Sequence, residues 1–122
     1  MRIKAIRGAI TAEENTRQEI LDKTKRLLST IMERNALRYE DMVSVIFTAT
    51  RDLDAVYPAV AAREMGMTQV PLLCCQEMYV EGSLERCIRV LIHAYMDDAR
   101  AAHHVYLEKA VSLRPDIAQI EH

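Results

Sequence analysis

Seven residues, Ile20, Leu21, Thr24, Leu27, Leu28, Ile31 and Met32, recur at helical spacing, and this stripe constrains the fold more than any other feature of the chain. A helix that carries it must bury one face against a second layer. Thr11-Ala12-Glu13-Glu14 has the capping-box pattern, so the helix is expected to be announced at Thr11 and to run to about Arg34, with Asn35 as its stop. Glu19 with Lys23, and Asp22 with Arg26, are spaced as i,i+4 pairs on the solvated side.

The segments around this helix read mostly as strands. In the first, from Arg2 to Ala9, the period of two puts Ile3, Ala5, Arg7 and Ala9 on the more apolar face. Met42 to Ala49 is rich in β-branched residues and predicts a buried strand. Pro58 can open a short helix over Ala59 to Met65, closed by Gly66. Val70 to Cys75 and Cys87 to Tyr95 predict two further strands, with Arg89 on the face of Cys87 and Leu91. Met96 to Ala102 reads as a loop or short helix, Val105 to Val111 as a helical turn or two, and the tail as weakly ordered from about residue 117. The expected fold is a single α+β domain over residues 1–122: a mixed sheet covered by one long and one short helix. The other sheet face has no cover of its own, so subunit contacts are expected.

Composition narrows the function. Sixteen Lys+Arg against 18 Asp+Glu give a net charge of −2, which argues against a general polyanion binder but not against a small anionic ligand. With no Trp and one Phe, a platform for stacking nucleic-acid bases is not expected. Neither a signal peptide nor a stretch of the roughly 20 apolar residues that cross a bilayer is expected. Cys74, Cys75 and Cys87 are odd in number and lack CxxC spacing; they read as reduced thiols in a cytoplasmic protein, not as a metal site. His103 and His104 are adjacent and read as surface residues. Three glycines leave no phosphate-binding loop or dinucleotide fingerprint.

The chemistry-bearing candidates are few. Arg7 and Arg89 fall on strands among apolar neighbours, and an arginine buried there needs a partner. An internal carboxylate, a neighbouring subunit or an anionic ligand would each serve, and the commoner outcome is an internal salt bridge or a strand end that reaches water. Glu77 follows the third strand and on its own reads as a loop carboxylate. Strand parity groups Cys74 with Gln76, so Cys74 and Glu77 act together only if the chain bends between them. These residues point to an anion-binding, self-associating domain and do not name a reaction.

An ordered set of short motifs does. Ile6-Arg7-Gly8-Ala9, Phe47-Thr48-Ala49-Thr50, Asp52-Leu53, Tyr57-Pro58-Ala59, Ala61-Ala62-Arg63, Val70-Pro71-Leu72 and Gln76-Glu77-Met78 are followed by Gly82-Ser83-Leu84, Cys87-Ile88-Arg89-Val90, His104-Val105-Tyr106-Leu107 and Leu113-Arg114-Pro115-Asp116. Together, in this order, the chain resembles the small trimeric monofunctional chorismate mutases of bacteria, the α/β class and not the all-helical one. The resemblance implies a homotrimer with a pseudo-barrel core and active sites between subunits. It implies an isomerase that turns chorismate into prephenate on the shikimate route to phenylalanine and tyrosine, by an intramolecular Claisen rearrangement with no cofactor and no metal.

It also implies roles. Arg89 would face the ether oxygen and touch a carboxylate. Arg7 and Tyr106 would bind that carboxylate. Glu77 and Cys74 would meet the ring hydroxyl, with Glu77 also facing positive charge on the ring. Arg63 would hold a carboxylate near the mouth. Tyr57 and Leu73 would be wall residues from the neighbouring subunit, and Leu113 and Arg114 would lie in a covering tail segment. Tyr57 stands where relatives often carry phenylalanine, and Val60 where some carry lysine. The alternative is a non-catalytic trimeric small-anion-binding or deaminase-like protein, which would rest on Arg7 and Arg89 alone.

Overall fold

The computed structural model describes residues 1–115. The tail expected from about residue 117 lies outside them. Five strands form one mixed sheet: β1 (Arg2–Thr11), β2 (Met42–Ala49), β3 (Leu72–Gln76), β4 (Cys87–Met96) and β5 (Val105–Tyr106). Their order across the sheet is β3-β2-β4-β1-β5. The β2/β4 and β4/β1 pairs are antiparallel, and the β3/β2 and β1/β5 pairs parallel. Two helices, α1 (Arg17–Asn35) and α2 (Pro58–Met65), cover one face, as expected. Among the described residues, no helix is long and apolar enough to cross a membrane.

The helix stripe does what its spacing requires. Ile20, Leu27, Leu28 and Ile31 are fully buried, in one core with Ile6, Ile10, Val45, Phe47, Ile88 and Ile92. Gly8 lets α1 approach, since a Cβ there would lie 2.7 Å from Ile31 Cδ1 and 3.1 Å from the Val105 carbonyl oxygen.

Several boundaries differ from the expectations. Helix α1 starts at Arg17, with Thr16 as N-cap accepting from the Glu19 N–H at 3.2 Å. Thr11 is instead the last rung of β1, paired with Cys87, and its hydroxyl accepts from the Lys109 N–H. Thr16-Arg17-Gln18-Glu19 repeats the Thr-x-x-Glu pattern five residues on, and strand pairing selects the second copy. Asn35 is the last helical residue, and the left-handed position falls on Ala36, at φ 49°. Pro71 has no N–H for the ladder, so β3 begins at Leu72 and not Val70. The helical turns expected over Val105–Val111 divide into β5 and a 3₁₀ turn at Glu108–Leu113, because the Leu107 N–H is drawn to the Ala9 carbonyl at 2.9 Å. Lys23 and Arg26 do not pair within α1; they reach Glu108, at 3.4 and 2.8 Å, and fasten that turn to the helix.

The first strand also turns its other side to the core. Ile6, Gly8 and Ile10 are buried beneath the helices, whereas Ile3, Ala5 and Arg7 are exposed on the face without helices, and Ala9 of that face is buried. Along that open face, Leu73 and Tyr95 are exposed and Ile46 and Leu91 half-buried. A small second cluster of Ala9, Cys87, Tyr106 and Ala110, with Leu113 against it, closes one end.

Candidate active site

Strand register gathers the charged residues on the open face. Arg89 stands opposite Ala9 of β1 and opposite Thr48 of β2, and Ala9 stands opposite Tyr106 of β5. Residues opposite each other share a face, and Arg7 shares it with Ala9 by the period of two. Arg7, Thr48, Arg89 and Tyr106 therefore occupy one side of four adjoining strands. Tyr106 is buried, Arg89 half-buried and Arg7 exposed.

Glu77 joins them from the end of β3. Its N–H donates to the Ala49 carbonyl at 2.9 Å, which carries the ladder one step beyond Gln76. Parity then puts its side chain with Cys75 and Leu73 on the open face. Thr48 Oγ1 donates to Glu77 Oε1 at 2.6 Å. Arg89 Nε lies 3.1 Å from the same oxygen, close enough for an ion pair, but the N–H is not aimed at it. Arg89 Nε is thus buried without a hydrogen bond. Beyond Glu77 the chain is pinned by Arg51, whose guanidinium carbon sits 3.5 Å above the Tyr79 ring centroid.

The other expected site residues lie elsewhere on the protomer. Cys74 is opposite Phe47, on the helix-covered side of the sheet, and no bend brings its thiol to Glu77. Burial raises the Cys74 pKa, against a backbone hydrogen bond from Ala59 and the charge of Arg63. That environment gives no activated nucleophile. Cys74, Tyr57 and Val60 line a cleft of about 570 Å³ that Arg7, Arg89, Glu77 and Tyr106 do not reach. Arg63 lines a smaller cavity of about 250 Å³ with Met67 and Leu72. Leu73 points out from the open face, 57% exposed. Leu113 packs against the small cluster of Ala9, Cys87, Tyr106 and Ala110, and Arg114 is half-buried at the end of the same 3₁₀ turn.

One protomer therefore holds two separate groups, Arg7, Glu77, Arg89, Tyr106 and Leu113 in one, and Tyr57, Arg63 and Cys74 in the other. The two arginines take the two commoner outcomes, an internal carboxylate for Arg89 and exposure to water for Arg7, which has no ion pair among the described residues. His104, expected at the surface, is half-buried and accepts from the Arg7 N–H at 2.9 Å, a strap on β1. Thr48 carries no signal of its place in the site in the sequence, because its link to Glu77 spans 29 residues and shows only once the register is known. Among the described residues, no cluster of three or more His, Cys, Asp or Glu side chains could hold a metal ion.

Comparison with known proteins supplies the family. Residues 3–117 match the family model for chorismate mutase type I. The chain belongs to this family. It is 50% identical over 120 residues to chorismate mutase AroH of Bacillus subtilis (strain 168), a match covering 97% of this chain and 94% of that relative. It is 48% identical over 117 residues to chorismate mutase AroH of Thermus thermophilus, covering 94% and 96%. Among solved structures, a chorismate mutase from Clostridium thermocellum superposes with a TM-score of 0.86 at 48% identity, covering 89% of this chain and 98% of that one.

Proposed function

We propose that the protein rearranges chorismate to prephenate, within aromatic amino acid biosynthesis in the cytoplasm, as a homotrimer with its sites between subunits. The observation that carries the reading is Arg89: a buried, unsatisfied Nε–H beside a fixed carboxylate, on a sheet face with a second arginine. Family membership supplies the substrate, and the three free thiols fit a reducing compartment.

The reaction is a pericyclic shift within one molecule, with no proton to move and no covalent intermediate. The protein's work is to hold a flexible dianion in a compact chair-like shape and to meet the charge that develops. Arg7 and Tyr106 grip a carboxylate, which removes conformational freedom before the barrier is climbed. As the ether bond breaks ahead of carbon–carbon bond formation, negative charge collects on the ether oxygen and Arg89 stabilises it. Glu77 accepts from the ring hydroxyl and faces the positive ring. Arginine suits these posts because its planar fork donates two hydrogen bonds and stays charged at neutral pH.

The two separate residue groups support an intersubunit site. The Tyr57 and Arg63 group of one copy completes the Arg89 group of the next, with Leu73 and Cys74 in the wall and Leu113 and Arg114 over it. The uncovered sheet face, with Ile46, Leu73, Leu91 and Tyr95, supplies the apolar surface for a closed trimer. The test is chorismate absorbance in the presence of purified protein. A fast, saturable loss with stoichiometric prephenate is the expected result; tight binding of chorismate without turnover would instead mark a non-catalytic anion-binding protein.

A further inference from the structure

Glu77 is the first residue past β3, on a side chain with three rotors, next to a guanidinium that would bind it in two places. Left alone, the carboxylate would settle face to face on Arg89 and occupy the donors meant for substrate. The structure holds it otherwise. Thr48 is rigid at χ1, sits in the middle of β2, and stands directly across from Arg89. Its Oγ1–H donates to Glu77 Oε1 at 2.6 Å, in the range of a charge-assisted hydrogen bond. Arg89 reaches that same oxygen only through Nε, at 3.1 Å and misaligned. Neither contact takes Oε2, which has no partner among the described residues and is left for a ligand hydroxyl.

We propose that Thr48 is a positioning residue for the rearrangement: its hydroxyl holds Glu77 off the hydrogen-bonding edge of Arg89, so that Glu77 presents one oxygen to the ring hydroxyl and Arg89 keeps its donors for the ether oxygen. The inference rests on the proposed reaction and on Glu77 meeting substrate. Threonine is a common strand residue with a local stabilising value of its own, so the test must separate packing from positioning.

The experiment is a double-mutant cycle on chorismate turnover, with Thr48→Val, Thr48→Ser, Glu77→Ala and the Thr48→Val/Glu77→Ala pair, each checked for thermal midpoint. Valine keeps the shape and β-branching but loses the hydroxyl. Thr48→Val should lower kcat/KM about tenfold with its midpoint near the parent's, the scale of one charge-assisted hydrogen bond. Thr48→Ser should recover most of the rate. In the Glu77→Ala background Thr48→Val should cost nothing further, a non-additivity that packing would not produce. Additive losses, or a Thr48→Val enzyme as fast as the parent while Glu77→Ala is slow, would overturn the role of Thr48 and leave Glu77 in place. A Glu77→Ala enzyme with full activity would overturn the Glu77 assignment, and the Thr48 role with it. If Thr48→Val lowers the midpoint sharply, Thr48→Ser against Thr48→Ala decides: equal rates overturn the inference, and a serine rate near the parent's supports it.

Discussion

Arg7 and Arg89 stand on one face of adjacent antiparallel strands, with Arg7 opposite Leu91 and Arg89 opposite Ala9. They are diagonal neighbours, near enough to share one small ligand. Glu77 offsets Arg89, whereas Arg7 has no ion pair among the described residues. A chain of net charge −2 thus collects positive charge where a dianion would sit.

Arg7 is exposed, and in the proposed role it binds a carboxylate present in both ground and transition states, so its loss should weaken binding more than chemistry. Arg7→Ala should raise KM for chorismate at least about tenfold and lower kcat less, and the rate should become less sensitive to salt. Steady-state kinetics at two ionic strengths would show it; an unchanged KM would remove Arg7 from the site.

Sites built between subunits can be rebuilt from two broken chains. Arg89→Ala and Arg63→Glu should each be slow as pure proteins. Unfolded together and refolded, mixed trimers should regain activity in about a quarter of their sites, since a site then draws Arg89 from one chain and Arg63 from the next. No recovery, with trimers formed, would mean that both arginines serve the same site from one chain.

Burial pushes the Cys87 thiol up to about 11, with Arg89 opposing the shift. The folded state therefore keeps the proton between the ordinary value of 9.0 and about 11, where the unfolded chain loses it. Stability should be level below pH 9.0 with respect to this group and fall as pH rises through that window. Urea midpoints of parent and Cys87→Ala, compared from pH 8 to 11, would check it: the parent should lose about 1–3 kcal/mol more than the variant across the window.

Gly8 is a packing requirement on the core side of the strand that carries Arg7. The Ile31 methyl can give way, but the Val105 carbonyl belongs to β5 and holds Tyr106 in register. Gly8→Ala should cost about 1–3 kcal/mol, read as a lower denaturant midpoint, and should slow turnover by displacing β5. A parent-like midpoint would mean that α1 moves away freely.

How far these features could be read beforehand depends on the range of the interaction. Met42–Ala49 and Pro58–Met65 match their expected bounds, because a β-branched run and a proline–glycine frame are local signals. Arg7 and Arg89 stood out as charges inside apolar periodicity. The start of α1 was ambiguous because Thr11 and Thr16 head the same capping pattern, and only the pairing of Thr11 with Cys87 decides. Two-residue β5 exists solely through its pairing with Gly8 and Ala9, nearly a hundred positions away, and has no periodicity to read. Thr48 is hidden for the same reason: its neighbours Glu77 and Arg89 are brought in by β3 and β4.

The central claim is that Arg89 stabilises charge on the breaking ether bond. The most direct measurement is kcat for chorismate with Arg89→Ala, on protein shown to keep its fold and assembly. Loss of a preorganised donor to a developing oxyanion should slow turnover roughly a hundredfold or more, at about 2.7–4 kcal/mol, with KM changed less. A kcat within a few-fold of the parent would contradict the account.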